Sequence, residues 1–181
     1  MVALLGINRI KSICCWGGGK RFIRYPFNIS GVENIVAGDH IDIGSGSTIF
    51  TKRAKLILKG HFVSGPGLTI ITGDHMPIVG RFIDEVTNDD KEALDRTHQY
   101  DKDVIINEDV WCGANVTILK GVTIGRGSII AAGAIVTKDI PPYSIAGGVP
   151  CRPIKQKWTK EQIEEHEEIL YSEENRIKLS E

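Results

Sequence analysis

A six-residue period constrains this chain more than any other feature. Stepping by six from Ile106 meets Cys112, Ile118, Ile124, Ile130 and Val136. The residue four further on in each step is Val110, Val116, Val122, Ser128, Ala134 and Ile140. One position per hexad is therefore aliphatic or cysteine and another is small or β-branched. Gly, Asn, Asp and Lys, which favour turns, lie between them. A helix repeats near 3.6 residues and a half-buried strand every 2, so neither accounts for the pattern. A fixed short period means stacked coils, and hexapeptide spacing is the signature of a parallel β-helix. Each hexad supplies one short strand and a turn, and three hexads close a triangular coil. The aliphatic residue points inward, onto its counterpart roughly 4.8 Å away in the next coil. One coil cannot bury its interior alone, so several must stack.

The pattern recurs more loosely upstream. Ile43 leads to Ile49; then Leu58, Ser64 and Ile70 fall in steps of six, with Phe62 and Leu68 four residues after the first two. Ser64-Gly65-Pro66-Gly67 reads as a corner. Coils are expected over 29–75 and 103–150. Residues 76–103 interrupt them with polar and charged sequence, including Asn88-Asp89-Asp90-Lys91. A loop of that length is usually functional or disordered, and rigid scaffolds commonly carry binding residues on loops. Pro141-Pro142 and Gly147-Gly148-Val149-Pro150 close the repeats. Thr159-Lys160-Glu161-Gln162 has the form of a capping box and predicts a terminal helix of about 18 residues. Ile163, Ile169 and Leu170 are expected to pack it on the body, with its acidic run a solvated face. The fold class is thus all-β: a lead-in over 1–28, a β-helix over 29–158 with a protruding loop at 76–103, and a C-terminal α-helix within 159–181.

Composition narrows the function. A formal net charge of −1 over 181 residues makes no electrostatic trap for nucleic acid. Cys14, Cys15, Cys112 and Cys151 form no CxxC pair and no Cys/His ligand spacing, so no zinc site is expected. Reduced thiols and a cytoplasmic location are the default. The apolar start, Val2 to Ile7, is broken by Asn8, Arg9 and Lys11. It is too short for a membrane span, and no small-residue cleavage site follows it. Residues 1–24 hold five basic and no acidic side chains, which reads as a solvated basic end in preference to a weak membrane-surface or partner contact. Gly17-Gly18-Gly19-Lys20 lacks the earlier glycine and the following Ser/Thr of a P-loop.

Three stretches carry a resemblance. They are Val110-Trp111-Cys112-Gly113-Ala114-Asn115-Val116 running on through Leu119 to Gly125, Ile130-Ala131-Ala132-Gly133-Ala134-Ile135-Val136-Thr137-Lys138-Asp139-Ile140-Pro141, and Ala146-Gly147-Gly148-Val149-Pro150-Cys151-Arg152. Over about residues 29–158 the chain resembles the hexapeptide-repeat acyltransferases. The similar branch holds the maltose, galactoside, Nod-factor and colanic-acid-type O-acetyltransferases and the xenobiotic acetyltransferases. The resemblance implies a left-handed helix, an exception to the right-handed crossover rule. It also implies a homotrimer with active sites between subunits, and acetyl-CoA as co-substrate with no metal.

His75, in Thr72-Gly73-Asp74-His75, matches the family's general base. An alcohol is a poor nucleophile near neutral pH, and an imidazole can take its proton as attack proceeds. The resemblance places Trp111 and Asp74 at the cleft near thioester and acceptor. It runs the pantetheine arm along Gly113, Ala114, Ala131 and Ala132, although tight corners also want small residues. Thr137 and Lys138 are placed to meet the adenosine end and its phosphates, and Arg152 fits the 3′-phosphate through its forked guanidinium. A backbone N–H between Trp111 and Ala114 is expected to meet the oxyanion. Cys112 occupies an inward position and reads as core, so direct transfer is favoured over a cysteine intermediate. His40, His61, His98 and His166 read as structural or exposed.

The expected reaction is acetyl transfer to a hydroxyl of a sugar or surface-polysaccharide precursor. Small residues at Ser45-Gly46-Ser47, where sugar O-acetyltransferases often place a polar anchor, and the 76–103 loop argue against simple disaccharides. A xenobiotic such as chloramphenicol or a streptogramin, or an amino sugar, is the alternative acceptor. A γ-carbonic-anhydrase-like metalloenzyme and a silent β-helix scaffold are alternatives of other classes. The first needs three converging histidines, and His40, His61 and His75 do not sit at matching offsets.

Overall fold

Hexads that hold one aliphatic side chain on the inner side of a two- to four-residue strand wind into three flat sheets that share one interior. The computed structural model describes residues 20–177. The first face is formed by β1 (Arg21–Ile23), β4 (Ile41–Ile43), β7 (Phe62–Ser64), β10 (Val110–Cys112), β13 (Ile129–Ile130) and β15 (Ser144–Gly147), all parallel, with β16 (Arg152–Gln156) antiparallel at its edge. The second face is β2 (Phe27–Ser30), β5 (Ser47–Phe50), β8 (Thr69–Ile71), β11 (Thr117–Ile118) and β14 (Ile135–Val136). The third is β3 (Ile35–Ala37), β6 (Leu56–Leu58), β9 (Val104–Ile106) and β12 (Thr123–Ile124). Every third strand returns to the same face, so the section is triangular.

The register follows the hexads. Cys112 pairs with Ile130, Ile118 with Val136 and Ile106 with Ile124, each partner eighteen residues on. Every inward position from Ile106 to Ile140 named above is buried, Ser128 included. Ser128 fits because its hydroxyl donates to the Pro141 carbonyl at 2.8 Å. Ser64 likewise accepts from the Gly44 N–H at 3.1 Å. Satisfied hydroxyls cost little in a column that unpaired ones would disrupt.

Corners are where glycine is needed. A Cβ on Gly113 would lie 2.6 Å from the Ala132 nitrogen in the next coil, so the close approach of coils requires its absence. Asn115 adopts φ 55° at the corner position that Gly67 holds at 75° and Gly133 at 72°, the left-handed region that asparagine tolerates best after glycine.

Strand pairing begins at Arg21, upstream of the expected residue 29. The calls on Val2–Lys11, Cys14, Cys15 and Gly17–Gly19 lie outside the described residues. Between β8 and β9 the chain leaves the stack at the corner of the second and third faces. This loop carries a short helix, α1 (Asn88–Leu94), started by a capping box of Thr87 and Asp90. The terminal helix α2 (Lys160–Leu170) has its capping box at Thr159 and Gln162 but is eleven residues long, shorter than expected, and gives way to extended chain at Tyr171. Ile163 is buried, whereas Ile169 and Leu170 are exposed. The acidic run is not all solvated either. Glu167 is sealed in, bonded by Arg126 at 3.0 Å, by the Ile177 N–H at 2.9 Å and by the Tyr143 hydroxyl. The Arg126 guanidinium also lies 3.8 Å over the Tyr171 ring. Burial, and then the bond to Glu167, push the Tyr143 hydroxyl's pKa well up, so it stays a donor.

Truncating one inward residue opens a void that the flat coils cannot close. Ile118→Ala should lower stability by about 2–5 kcal/mol. Thr117→Ala, next to it but pointing outward, should change it by less than about 0.5 kcal/mol. Chemical denaturation of the two variants checks this.

Candidate active site

The segment that carries His75 is fixed by the corner beneath it. Thr72, buried at the end of β8, donates its hydroxyl to the Ala54 carbonyl at 3.1 Å. Gly73 pairs with Asp101 in an antiparallel bridge, and the Asp74 N–H donates to the Tyr100 carbonyl at 2.7 Å. The two ends of the loop are thereby stitched together. Lys91, on α1 and nearly buried, completes the arrangement. Its ammonium pairs with Asp101 at 2.6 Å and donates to the Asp74 carbonyl at 2.8 Å. Arg53 reaches the same Asp101 carboxylate at 3.2 Å and Glu92 at 3.3 Å. A buried cation is tolerable only with such partners. The Asp74 carboxylate turns to Lys120 at 3.0 Å. His75 itself is exposed: its backbone neighbours are held while its ring faces outward.

Beside it opens a cavity of about 340 Å³. Phe50, Ile71, Met76 and Val86 supply apolar wall, and Lys52, Arg53, Lys91, Asp74 and Asp101 bring charge. The size suits a small molecule. Lys91, Asp101, Arg53, Lys52 and Lys120 were not singled out from sequence. They fall in four separate stretches of the chain and follow no period. The one available signal was the Thr87-x-x-Asp90 capping box, which announces α1 and hence its anchoring lysine.

The other candidates occupy different edges of the prism. Gly113 and Ala114, then Ala131 and Ala132, form successive rungs at the corner of the first and second faces. The Gly148–Cys151 turn lies over the same corner, with the Cys151 N–H bonded to the Ile135 carbonyl at 2.8 Å, so exposed Arg152 tops this ladder. Thr137 and Lys138 are exposed at the second-to-third corner, the His75 edge, two strands further along the order β8, β11, β14. Trp111 projects from β10 on the first face, 53% exposed. In a triangular section that face is opposite the second-to-third corner. One chain therefore brings Asp74 and His75 together but not His75 and Trp111.

Two donors of the segment expected to meet an oxyanion are already used. The Trp111 N–H donates to the Ser128 carbonyl at 3.1 Å and the Gly113 N–H to Ile130 at 2.8 Å. Cys112 and Cys151 are both buried. Burial, with a smaller contribution from Cys151, pushes the Cys112 thiol far above its usual range, so it is no thiolate nucleophile near neutral pH. Among the described residues no group of three or more His, Cys, Asp or Glu is placed to hold a metal ion. No helix of the described residues is long and apolar enough to cross a membrane.

Replacing Lys91 should release α1 without melting the stack. In Lys91→Met, hydrogen exchange of amides 88–94 should quicken by about tenfold or more, the loss of one charged hydrogen bond. Amides of β10 to β14 should keep their protection.

The family model for the bacterial transferase hexapeptide, six repeats, matches residues 103–138, the stretch in which the period does not slip. A galactoside O-acetyltransferase of Lactococcus lactis is 34% identical over 141 residues, covering 77% of this chain and 61% of that protein. A polysialic acid O-acetyltransferase of Escherichia coli is 40% identical over 121 residues, covering 61% of this chain and 39% of that protein. The chain thus spans less than two thirds of the length of either relative. Among solved structures, a hexapeptide-repeat acetyltransferase from Vibrio cholerae, complexed with acetyl coenzyme A, aligns with a TM-score of 0.67 at 27% identity, covering 88% of this chain and 79% of that one. In repeat and in coil architecture the chain has the left-handed parallel β-helix fold of hexapeptide repeats, and it is similar over most of its length to hexapeptide-repeat acetyltransferases.

Proposed function

We propose that this protein moves an acetyl group from acetyl-CoA to a hydroxyl of a sugar or surface-polysaccharide precursor, with His75 as general base. The observation that carries the reading is the exposed His75 at the cavity, on a segment clamped by Lys91, Asp101 and Thr72. A base works best when its approach to the acceptor is settled before the substrate arrives. The solved Vibrio cholerae relative, which binds acetyl coenzyme A, supports the choice of donor.

In the proposed step the acceptor oxygen attacks the thioester carbonyl as His75 takes the hydroxyl proton. The tetrahedral intermediate collapses, the C–S bond breaks, and the imidazolium returns the proton to the departing thiolate. The products are an O-acetyl ester and free CoA. Direct transfer in a ternary complex fits the protonated, buried Cys112. Gly113, Ala114, Ala131, Ala132 and Arg152 form the proposed wall for the pantetheine arm and 3′-phosphate. Thr137 and Lys138 are assigned to the adenosine end, and Asp74 and Trp111 to the reacting cleft. Because Trp111 stands opposite the His75 edge of its own chain, the reading calls for a second copy that brings its first face to that edge. A cyclic homotrimer closes such head-to-tail contacts. A cytoplasmic site of action belongs to the same proposal.

Release of free thiol from acetyl-CoA, measured with sugars, amino sugars and chloramphenicol, tests the reaction. Acceptor-dependent release should fall by about 10²–10⁴ in His75→Ala. An unchanged rate in the variant removes His75 from the role, and absence of release together with absence of acetyl-CoA binding leaves a silent scaffold. Light scattering should give about three times the 19.9 kDa chain mass.

A further inference from the structure

We infer that the cavity beside His75 selects an acceptor carrying a negative charge, a carboxylate or a phosphate, and that Lys52 is the residue that reads it. This rests on the transferase reading above and adds the chemical class of acceptor.

All charged side chains lining the cavity except Lys52 have an ion-pair partner among the described residues. Asp101 is taken twice, by Lys91 at 2.6 Å and by Arg53 at 3.2 Å. Arg53 also engages Glu92 at 3.3 Å. Asp74 is balanced from outside the cavity by Lys120 at 3.0 Å. Those six groups close on one another, three positive and three negative. Lys52 lines the same cavity and has no acidic side chain within ion-pair distance among the described residues. It is exposed, with its side chain open to solvent at the cavity.

Its backbone is not free to drift. The Lys52 carbonyl accepts from the Asn34 side chain at 3.1 Å. Thr51, before it, is fully buried, with its hydroxyl donating to the Gly31 carbonyl at 2.5 Å. The ammonium thus projects from a fixed corner, one coil from the coil that carries His75 along the same edge. Phe50, Ile71, Met76 and Val86 make the rest of the wall apolar. A ligand that displaces water there meets a lower dielectric, in which one unbalanced charge attracts its opposite more strongly than in bulk water. A neutral acceptor would leave that cation without a partner in the bound complex, whereas an anionic one would pair with it beside the proposed base.

The test uses matched acceptors: glucose, glucuronic acid and glucose 6-phosphate. Initial rates and the shift of the His75 imidazole resonance on titration are measured for the wild type, Lys52→Met and Lys52→Arg. Lys52→Met keeps the length and apolar stem, and Lys52→Arg keeps the charge. In the wild type at least one anionic sugar should show a KM about tenfold below that of glucose, the size of one charge-assisted hydrogen bond. Which of the two does so separates carboxylate from phosphate. Lys52→Met should raise that KM by about tenfold and leave the KM for glucose and acetyl-CoA unchanged, and Lys52→Arg should restore most of it. Equal KM for neutral and anionic sugars, or an anionic preference that survives Lys52→Met, overturns the inference while leaving the transferase intact. Transfer to none of the three, with a resonance shift induced by an anionic sugar and lost in Lys52→Met, supports the subsite and counts against the reaction. No transfer and no shift overturns the inference, and acetyl-CoA binding then decides whether the transferase reading falls with it.

Discussion

The stacking of one inward side chain on its counterpart in the next coil is the interaction on which this molecule depends. Ile106 on Ile124, Cys112 on Ile130 and Ile118 on Val136 are three such contacts, and each fixes the register of the strand that carries it. A slip of one residue would turn the inward set outward. The backbone therefore has little freedom in the coils, and variation is pushed to the corners. There Asn115, Asp109 and Tyr143 adopt positive φ, and there the chain can leave the stack and return.

That division explains where the proposed site lies. The insertion between β8 and β9 departs from and rejoins the same corner, so Ile70 still pairs with Ile118 as though nothing intervened. The loop is tied back by its own charges: Lys91 of α1 to Asp101 and to the carbonyl before His75. Rigid coils and a tied loop give the imidazole of His75, the proposed base, settled surroundings and an exposed ring. The same triangular section keeps Trp111 away from that base within one chain, which is why the proposed site takes a second copy.

Much of this was legible in the sequence because the repeat is itself the physical cause of the fold. The period from Ile106 to Ile140 gave the inward columns residue by residue, Cys112 and Ser128 among them. The first coils were harder to read. Their rungs are longer, with Ile23 pairing with Ile43 and Ile41 with Phe62, so a strict step of six slips and β1 was passed over. His75 stood out only through the resemblance. Lys91, Asp101, Arg53 and Lys52 carry no periodicity, and ion pairs between residues tens of positions apart leave no local trace. The terminal helix is shorter than its sequence suggests: Ile169 and Leu170 resemble packing residues, yet the chain turns extended at Tyr171. Glu167 reads in sequence as a solvated acid because nothing near it announces Arg126 and Tyr143, its partners in the fold.

The central claim is that a working site combines the His75 edge of one copy with the Trp111 face of another. Mixing separately inactive His75→Ala and Trp111→Ala proteins, after subunit exchange under mild denaturant, tests it most directly. Sites shared between copies regain about a quarter of wild-type activity in an equal mixture, since random assembly pairs two intact surfaces at that frequency. A mixture as inactive as its components would show that each site lies within one chain, and would contradict the composite site.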